Sequence, residues 1–174
     1  MYSNCPRGVK RTMNRIAPLL LILLFVFLVC IDQYTKWLVL SSLAPFQVIP
    51  IIEGFFNLTL VFNTGVAFGM LSGLGEESRS LIVGGVTLVA LLVVLTFVSR
   101  HYRQSSLALS SLVLILGGAV GNLIDRVRLG KVVDFLDIYV SDWHWPAFNA
   151  ADSFICIGVV LLLLLPPPQK SQNS

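Results

Sequence analysis

Leu81 to Val98 is a run of 18 residues without one charged side chain. At 1.5 Å per residue a helix of that length covers about 27 Å, close to the ~30 Å hydrocarbon thickness of a bilayer. Three further apolar segments accompany it: Ile16–Ile31, extending to about Leu40, then Leu107–Ile124 and Ala147–Leu165. A soluble domain has no use for four such segments. Composition agrees, with 56% hydrophobic residues, 12% charged and a mean hydropathy of +0.84; soluble domains carry about 25% charge. The prediction is a mainly α membrane protein with four transmembrane helices at about 16–40, 81–98, 107–124 and 147–165. The net charge of +3 is too small and dispersed for nucleic-acid binding.

The first segment follows Arg7, Lys10, Arg11 and Arg15, with no acidic residue among them. A basic start and an apolar middle resemble a secretory signal peptide. The exit FLVCIDQYTKW contains no small-residue cleavage site, so the segment reads as a retained span. Val29 before Cys30 argues against a lipid-modified cysteine there. The odd count of three cysteines implies no disulfide framework, and Cys30 and Cys156 read as small buried hydrophobes. With the N-terminus inside, seven Lys/Arg fall on the inner side and five on the outer. The four leading residues weigh most. This orientation puts Trp37, Trp143 and Trp145 on the outer side, as an interfacial belt. Residues 1–15 and 166–174, the latter beginning at Pro166-Pro167-Pro168, become cytoplasmic tails around one domain over 16–165.

Residues 44–69 change period. FFNLTLVFN alternates, with Phe56, Leu58, Leu60 and Phe62 on one side and Asn57, Thr59 and Val61 on the other. Period two predicts strand, and Gly54 suits the turn between two short strands. A small sheet lying on the membrane surface with one greasy face is expected. Asn63 ends it, either capping a turn or holding the backbone of a peptide substrate. The glycine-containing 69–78 stretch suggests a mobile flap.

Five of the nine acidic residues, all aspartates, fall between Gly117 and Asp152: Asp125, Asp134, Asp137, Asp142 and Asp152. A carboxylate at a helix centre in hydrocarbon costs roughly 2.5–3.5 kcal/mol. Two carboxylates that meet can share one proton and activate water. Asp134, in an extended or helix-end segment, and Asp152, a turn or so into the last span, are the candidate pair. For either one alone a helix cap or loop charge is the other reading, and dipole stabilisation fits Asp152. Asp137 and Asp142 read as solvated loop charges. Asp125 reads as an ion pair with adjoining Arg126 or a helix-end charge. Asp32 and Lys36, four apart on one helix face, read as a structural ion pair at the membrane boundary with Trp37 as anchor. Two other classes compete: a proton-relay transporter, which wants carboxylates spread through the membrane depth, and a scaffold, which leaves the clustered aspartates unexplained.

Five blocks occur in order: Asp32-Gln33-Tyr34-Thr35-Lys36; Asn63-Thr64-Gly65-Val66-Ala67-Phe68; Gly117-Gly118-Ala119-Val120-Gly121-Asn122-Leu123-Ile124-Asp125-Arg126; Val132-Val133-Asp134-Phe135; and Phe148-Asn149-Ala150-Ala151-Asp152-Ser153. Over nearly its whole length the chain resembles the bacterial lipoprotein signal peptidase (signal peptidase II) family. Val66 and Ala150 depart from the commoner residues and touch no functional side chain. The resemblance implies a monomeric intramembrane aspartyl endopeptidase of the inner membrane. It would have four helices, a β-cradle on the periplasmic side, an active site near that face and both termini in the cytoplasm. Such an enzyme cuts diacylglyceryl-modified prolipoproteins before the lipidated cysteine, amid membrane lipids, without metal or organic cofactor. It implies Asp134 and Asp152 as the catalytic pair, supported by Asn63, Asn122, Asp125, Arg126 and Asn149.

Overall fold

The computed structural model describes residues 7–65, 73, 75–102 and 105–166. Half of the expected 69–78 flap, and all of the tail after residue 166, lies outside them. The chain runs α1 (Arg7–Ser42), β1 (Val48–Ile52), β2 (Phe56–Asn63), α2 (Glu76–His101), α3 (Ser106–Leu129), β3 (Val132–Val140), β4 (Trp143–His144) and α4 (Ala150–Leu163). Among the described residues three helices are long and apolar enough to cross a membrane: Pro18–Ser42, Ser78–His101 and Ser106–Leu129. Helix α4, with 14 residues, is shorter than the expected 147–165 span. Leu20, Ile22, Phe27, Val86, Val89 and Val93 are all about half exposed or more. Such continuous apolar surface is stable only against hydrocarbon. Cys30 and Cys156 are free thiols on exposed helix faces, not the buried positions expected of them.

Helix α3 is the hub, packing against α1, α2 and α4. Ser105 caps its start by accepting from the Ala108 N–H. Gly130 caps it in the left-handed conformation at φ 73°, and its last residue, Leu129, lies five beyond the predicted end at Ile124. The glycines of α3 bring its neighbours close, as their missing side chains suggest. A Cβ on Gly118 would collide with the Ala151 carbonyl oxygen of α4, and one on Gly121 with the Asp32 carboxylate of α1.

The sheet has four strands in the order β1-β2-β3-β4, all antiparallel, where the alternation of residues 56–63 predicted only the first two. The 132–140 stretch alternates poorly because it is buried on both faces for most of its length. Central strands of that kind lose the half-polar signature. The simple split of β2 into greasy and polar sides also fails. Asn57 and Thr59 are buried, and a register shift between Leu58 and Val61 breaks the alternation. Leu60, Val133 and Phe135 close on Val39 and Leu43 at the end of α1, which docks the sheet on the bundle.

Candidate active site

Lys36 lies at the centre of the bundle's polar interior. Its ammonium is 2.9 Å from Asp32 Oδ2 and 2.9 Å from Asp125 Oδ2, and it donates to Asn122 Oδ1 at 2.9 Å. All three of its protons have acceptors. Lys36 and Asp32 form the ion pair that their spacing suggested, buried between helices, while neighbouring Trp37 is exposed. Asp125 is likewise paired to Lys36 and not to Arg126. Adjacent helical residues point about 100° apart, and only residue 125 faces α1. Gln33, to which sequence reading assigned no role, donates to Asp125 Oδ1 at 3.0 Å and to the Gly121 carbonyl at 3.1 Å. Its place one residue from Asp32 was the available signal.

Both carboxylates of this network reach into the neighbouring elements. Asp125 Oδ2 accepts the Val133 N–H at 3.1 Å, and Asp32 Oδ1 accepts the Ala151 N–H at 3.0 Å. Residues 133 and 151 each immediately precede a candidate catalytic aspartate. One buried lysine thus anchors the backbone that presents both Asp134 on β3 and Asp152 on α4.

Asp134 is 1% exposed and accepts two amide hydrogen bonds. They come from Asn63 Nδ2 at 2.8 Å and Asn149 Nδ2 at 2.6 Å. Asp152 accepts from Asn122 Nδ2 at 2.8 Å and from the Asn149 N–H at 3.3 Å. Asn149 caps α4, and its side chain takes the Asp152 N–H at 3.0 Å in a reciprocal capping box. The helix-cap reading of Asp152 is therefore correct and coexists with its place beside Asp134. Asn149 Nδ2 also meets Asn122 Oδ1 at 3.1 Å, so a chain of neutral amides joins the two carboxylates. Asn63 caps the turn as expected, its Oδ1 accepting the Gly65 N–H at 2.7 Å, while its Nδ2 is turned to Asp134.

Among the described residues neither Asp134 nor Asp152 makes a salt bridge. Burial pushes the Asp134 carboxyl up to about 6; the Asn63 amide opposes that rise and the Asp152 charge adds to it. Arg126 lies against Gly65, within electrostatic reach of Asp152 and Asp134, and its Nε is buried without a partner among the described residues. Asp152 is half-buried in the wall of a hollow of about 500 Å³, which Ile138, Trp143, Trp145, Phe148 and Ile157 also line. A second hollow, about 690 Å³, opens between α2 and α3 beside Arg126. No cluster of three or more His, Cys, Asp or Glu among the described residues has metal-ligand geometry.

The remaining aspartates divide. Asp142 sits exposed in the β3–β4 turn, as expected. Asp137 is not a solvated loop charge: it lies on β3, 8% exposed. Its oxygens accept from Asn57 Nδ2 at 2.9 Å and meet His144 Nδ1 at 2.8 Å. Reading Asp137 as a loop charge hid this group.

Residues 24–165 match the family model described as "Signal peptidase (SPase) II". The chain belongs to the signal peptidase II family. A lipoprotein signal peptidase of Syntrophus aciditrophicus (strain SB) is 43% identical, over 84% of this chain and 92% of that protein. One of Geobacter metallireducens is 50% identical over 77% and 82%. A solved structure titled "Bacterial membrane enzyme structure by the in meso method at 1.9 A resolution" superposes with a TM-score of 0.67 at 33% identity. That likeness covers 83% of this chain and 90% of that one. As a signal peptidase II the chain is a multi-pass membrane protease, of the aspartyl type consistent with its family.

Proposed function

We propose that this signal peptidase II hydrolyses the peptide bond preceding a diacylglyceryl-modified cysteine in prolipoproteins, with Asp134 and Asp152 sharing one proton. The observation that carries this reading is a pair of carboxylates, joined through Asn149 and Asn122, with no cation among the described residues bonded to either. Asp134, deeply buried, holds the proton and donates it as a hydrogen bond to the scissile carbonyl oxygen. Asp152, open to the hollow, takes a proton from water as the water oxygen bonds to the carbonyl carbon. The tetrahedral intermediate then loses its C–N bond, and the amine leaves with the proton that Asp152 received. Arg126 supplies donors to the substrate backbone near the turn at Gly65. Asn63, Asn122 and Asn149 hold the pair, and Asp125 acts with Asp32 and Lys36 beneath it.

In this reading α4 completes a four-span bundle, the sheet is a periplasmic cradle, and the active site lies near that face of the inner membrane. The lysine and arginine bias favours cytoplasmic termini, and four crossings return the chain to its starting side. One chain contains every residue named, so a monomer suffices. The test is cleavage by purified protein in nanodiscs, read by mass spectrometry, of one precursor with and without its diacylglyceryl group. Cleavage before the cysteine, strongly favouring the lipidated form, is expected. No cleavage of either form overturns the reading, and equal turnover of both removes the role of the lipid.

A further inference from the structure

Strand β4 has only two residues, paired as Tyr139 with His144 and Val140 with Trp143. So short a strand makes few ladder bonds, and side chains must fix its place. They do so on one face. Asp137 receives Asn57 Nδ2 at 2.9 Å on one oxygen and His144 Nδ1 at 2.8 Å on the other. The His144 ring stacks on Tyr139 at 5.1 Å with 10° between planes. Tyr139 in turn accepts the Gly54 N–H at 2.8 Å. This clasp ties β2, β3, β4 and the turn before β2 together. Two converging donors require two acceptor oxygens, which an aspartate supplies. The catalytic scheme above uses none of these side chains.

The opposite face of the same hairpin carries Trp143 and Trp145, since neighbours along a strand alternate faces. Their rings meet edge-on at 5.9 Å and wall the hollow at Asp152. We propose that Asp137 and His144 are positioning residues for substrate binding. By clasping β4 from behind they hold the Trp143–Trp145 wall in place, and an acyl chain of the substrate's modified cysteine lies against it. The inference rests on the proposed function. The scissile bond is at Asp152, and the acyl group is tethered to the very next residue. It must therefore bind in the apolar hollow that has Asp152 in its wall. The hollow between α2 and α3 has neither aspartate in its lining.

The clasp does not touch Asp134 or Asp152, which are held by Asn63, Asn122 and Asn149. Loosening it raises KM and leaves kcat nearly unchanged. The test uses a Trp37→Phe background, in which Trp143 and Trp145 are the only tryptophans left of three. His144→Leu keeps bulk and removes the donor; His144→Asn places an amide N–H where ring Nδ1 stood. Losing this part-buried hydrogen bond should raise KM for the lipidated precursor about tenfold, with kcat within about threefold, and His144→Asn should restore it. A precursor with brominated acyl chains should quench tryptophan emission in the background protein, and less so in His144→Leu. Unchanged KM, a fall in kcat alone, no rescue by His144→Asn, or no quenching in the background protein each overturns the inference. If His144→Leu does not fold, the quenching result alone decides. Failure of the wild-type chain to cut the precursor at all is a different outcome, which refutes the proposed function instead.

Discussion

Two groups of charged side chains meet at Asn122, and they are built on opposite principles. Below it, Asp32, Lys36 and Asp125 form a triad in which each charge touches an opposite one at 2.9 Å. Above it, among the described residues, Asp134 and Asp152 are held by neutral amides and backbone N–H groups. The first group is saturated: Asp32 Oδ1 takes the Ala151 N–H, Asp125 Oδ1 takes Gln33, and Asp125 Oδ2 takes the Val133 N–H beside Lys36. Its carboxylates have no capacity left for water or substrate. The second keeps a carboxyl whose proton is loosely decided, titrating near 6. A paired buried carboxylate is framework, and an unpaired one beside another carboxylate is a reagent.

Removing a reagent should cost activity and spare the fold. Asp134→Asn and Asp152→Asn should each lower cleavage of lipidated precursor by roughly 10²–10⁴-fold or more, because neither amide can take or share the proton. Size-exclusion profiles should stay near wild type. If well-folded Asp134→Asn kept near-normal turnover while Asp125→Asn lost it, the division between the groups would be wrong.

Removing the framework cation should do the reverse. Lys36→Met leaves Asp32 and Asp125 buried without their counter-charge, a change that costs about 3–5 kcal/mol. Thermal denaturation in detergent should show a large loss of stability, with activity falling in proportion to folded protein. Asp125→Asn should be milder, about 1–3 kcal/mol, since its amide oxygen still accepts one of the bonds the carboxylate received. Specific activity of the surviving folded fraction separates the groups. A normal value is expected for these variants and a null value for the upper pair.

The smallest effect is a displacement in pH. The Asp134 carboxyl lies above its ordinary value, so the shared proton is present below about pH 6 and is lost as pH rises through it. For the free enzyme, kcat/KM should decline above that value with a one-proton slope. Asn63 donates to the ionised form of Asp134, so Asn63→Ala favours the protonated form and should move the decline to higher pH. A shift to lower pH would mean that Asn63 does not act on this carboxyl.

The long apolar runs, the four-residue spacing of Asp32 and Lys36, and the alternation in residues 56–63 were legible from the chain, because each records a local period. So were the aspartates themselves: few charges survive in such a background, and those that do stand out. The pairing of Asp125 with Lys36 was not legible, since nothing local says which face of α3 meets α1. Nor was β3, where burial on both faces erases the alternation that marks a strand. That error carried Asp137 with it.

Sequence alone thus determined that the chain is a bundle of apolar helices with a small sheet and a few costly polar residues. Hydrophobic length and period are properties of consecutive residues. The tertiary structure alone decided which charge meets which, because partners such as Lys36 and Asp125, or Asn63 and Asp134, lie 89 and 71 residues apart. Their contact depends on helix rotation, on close approach at Gly121 and on strand register.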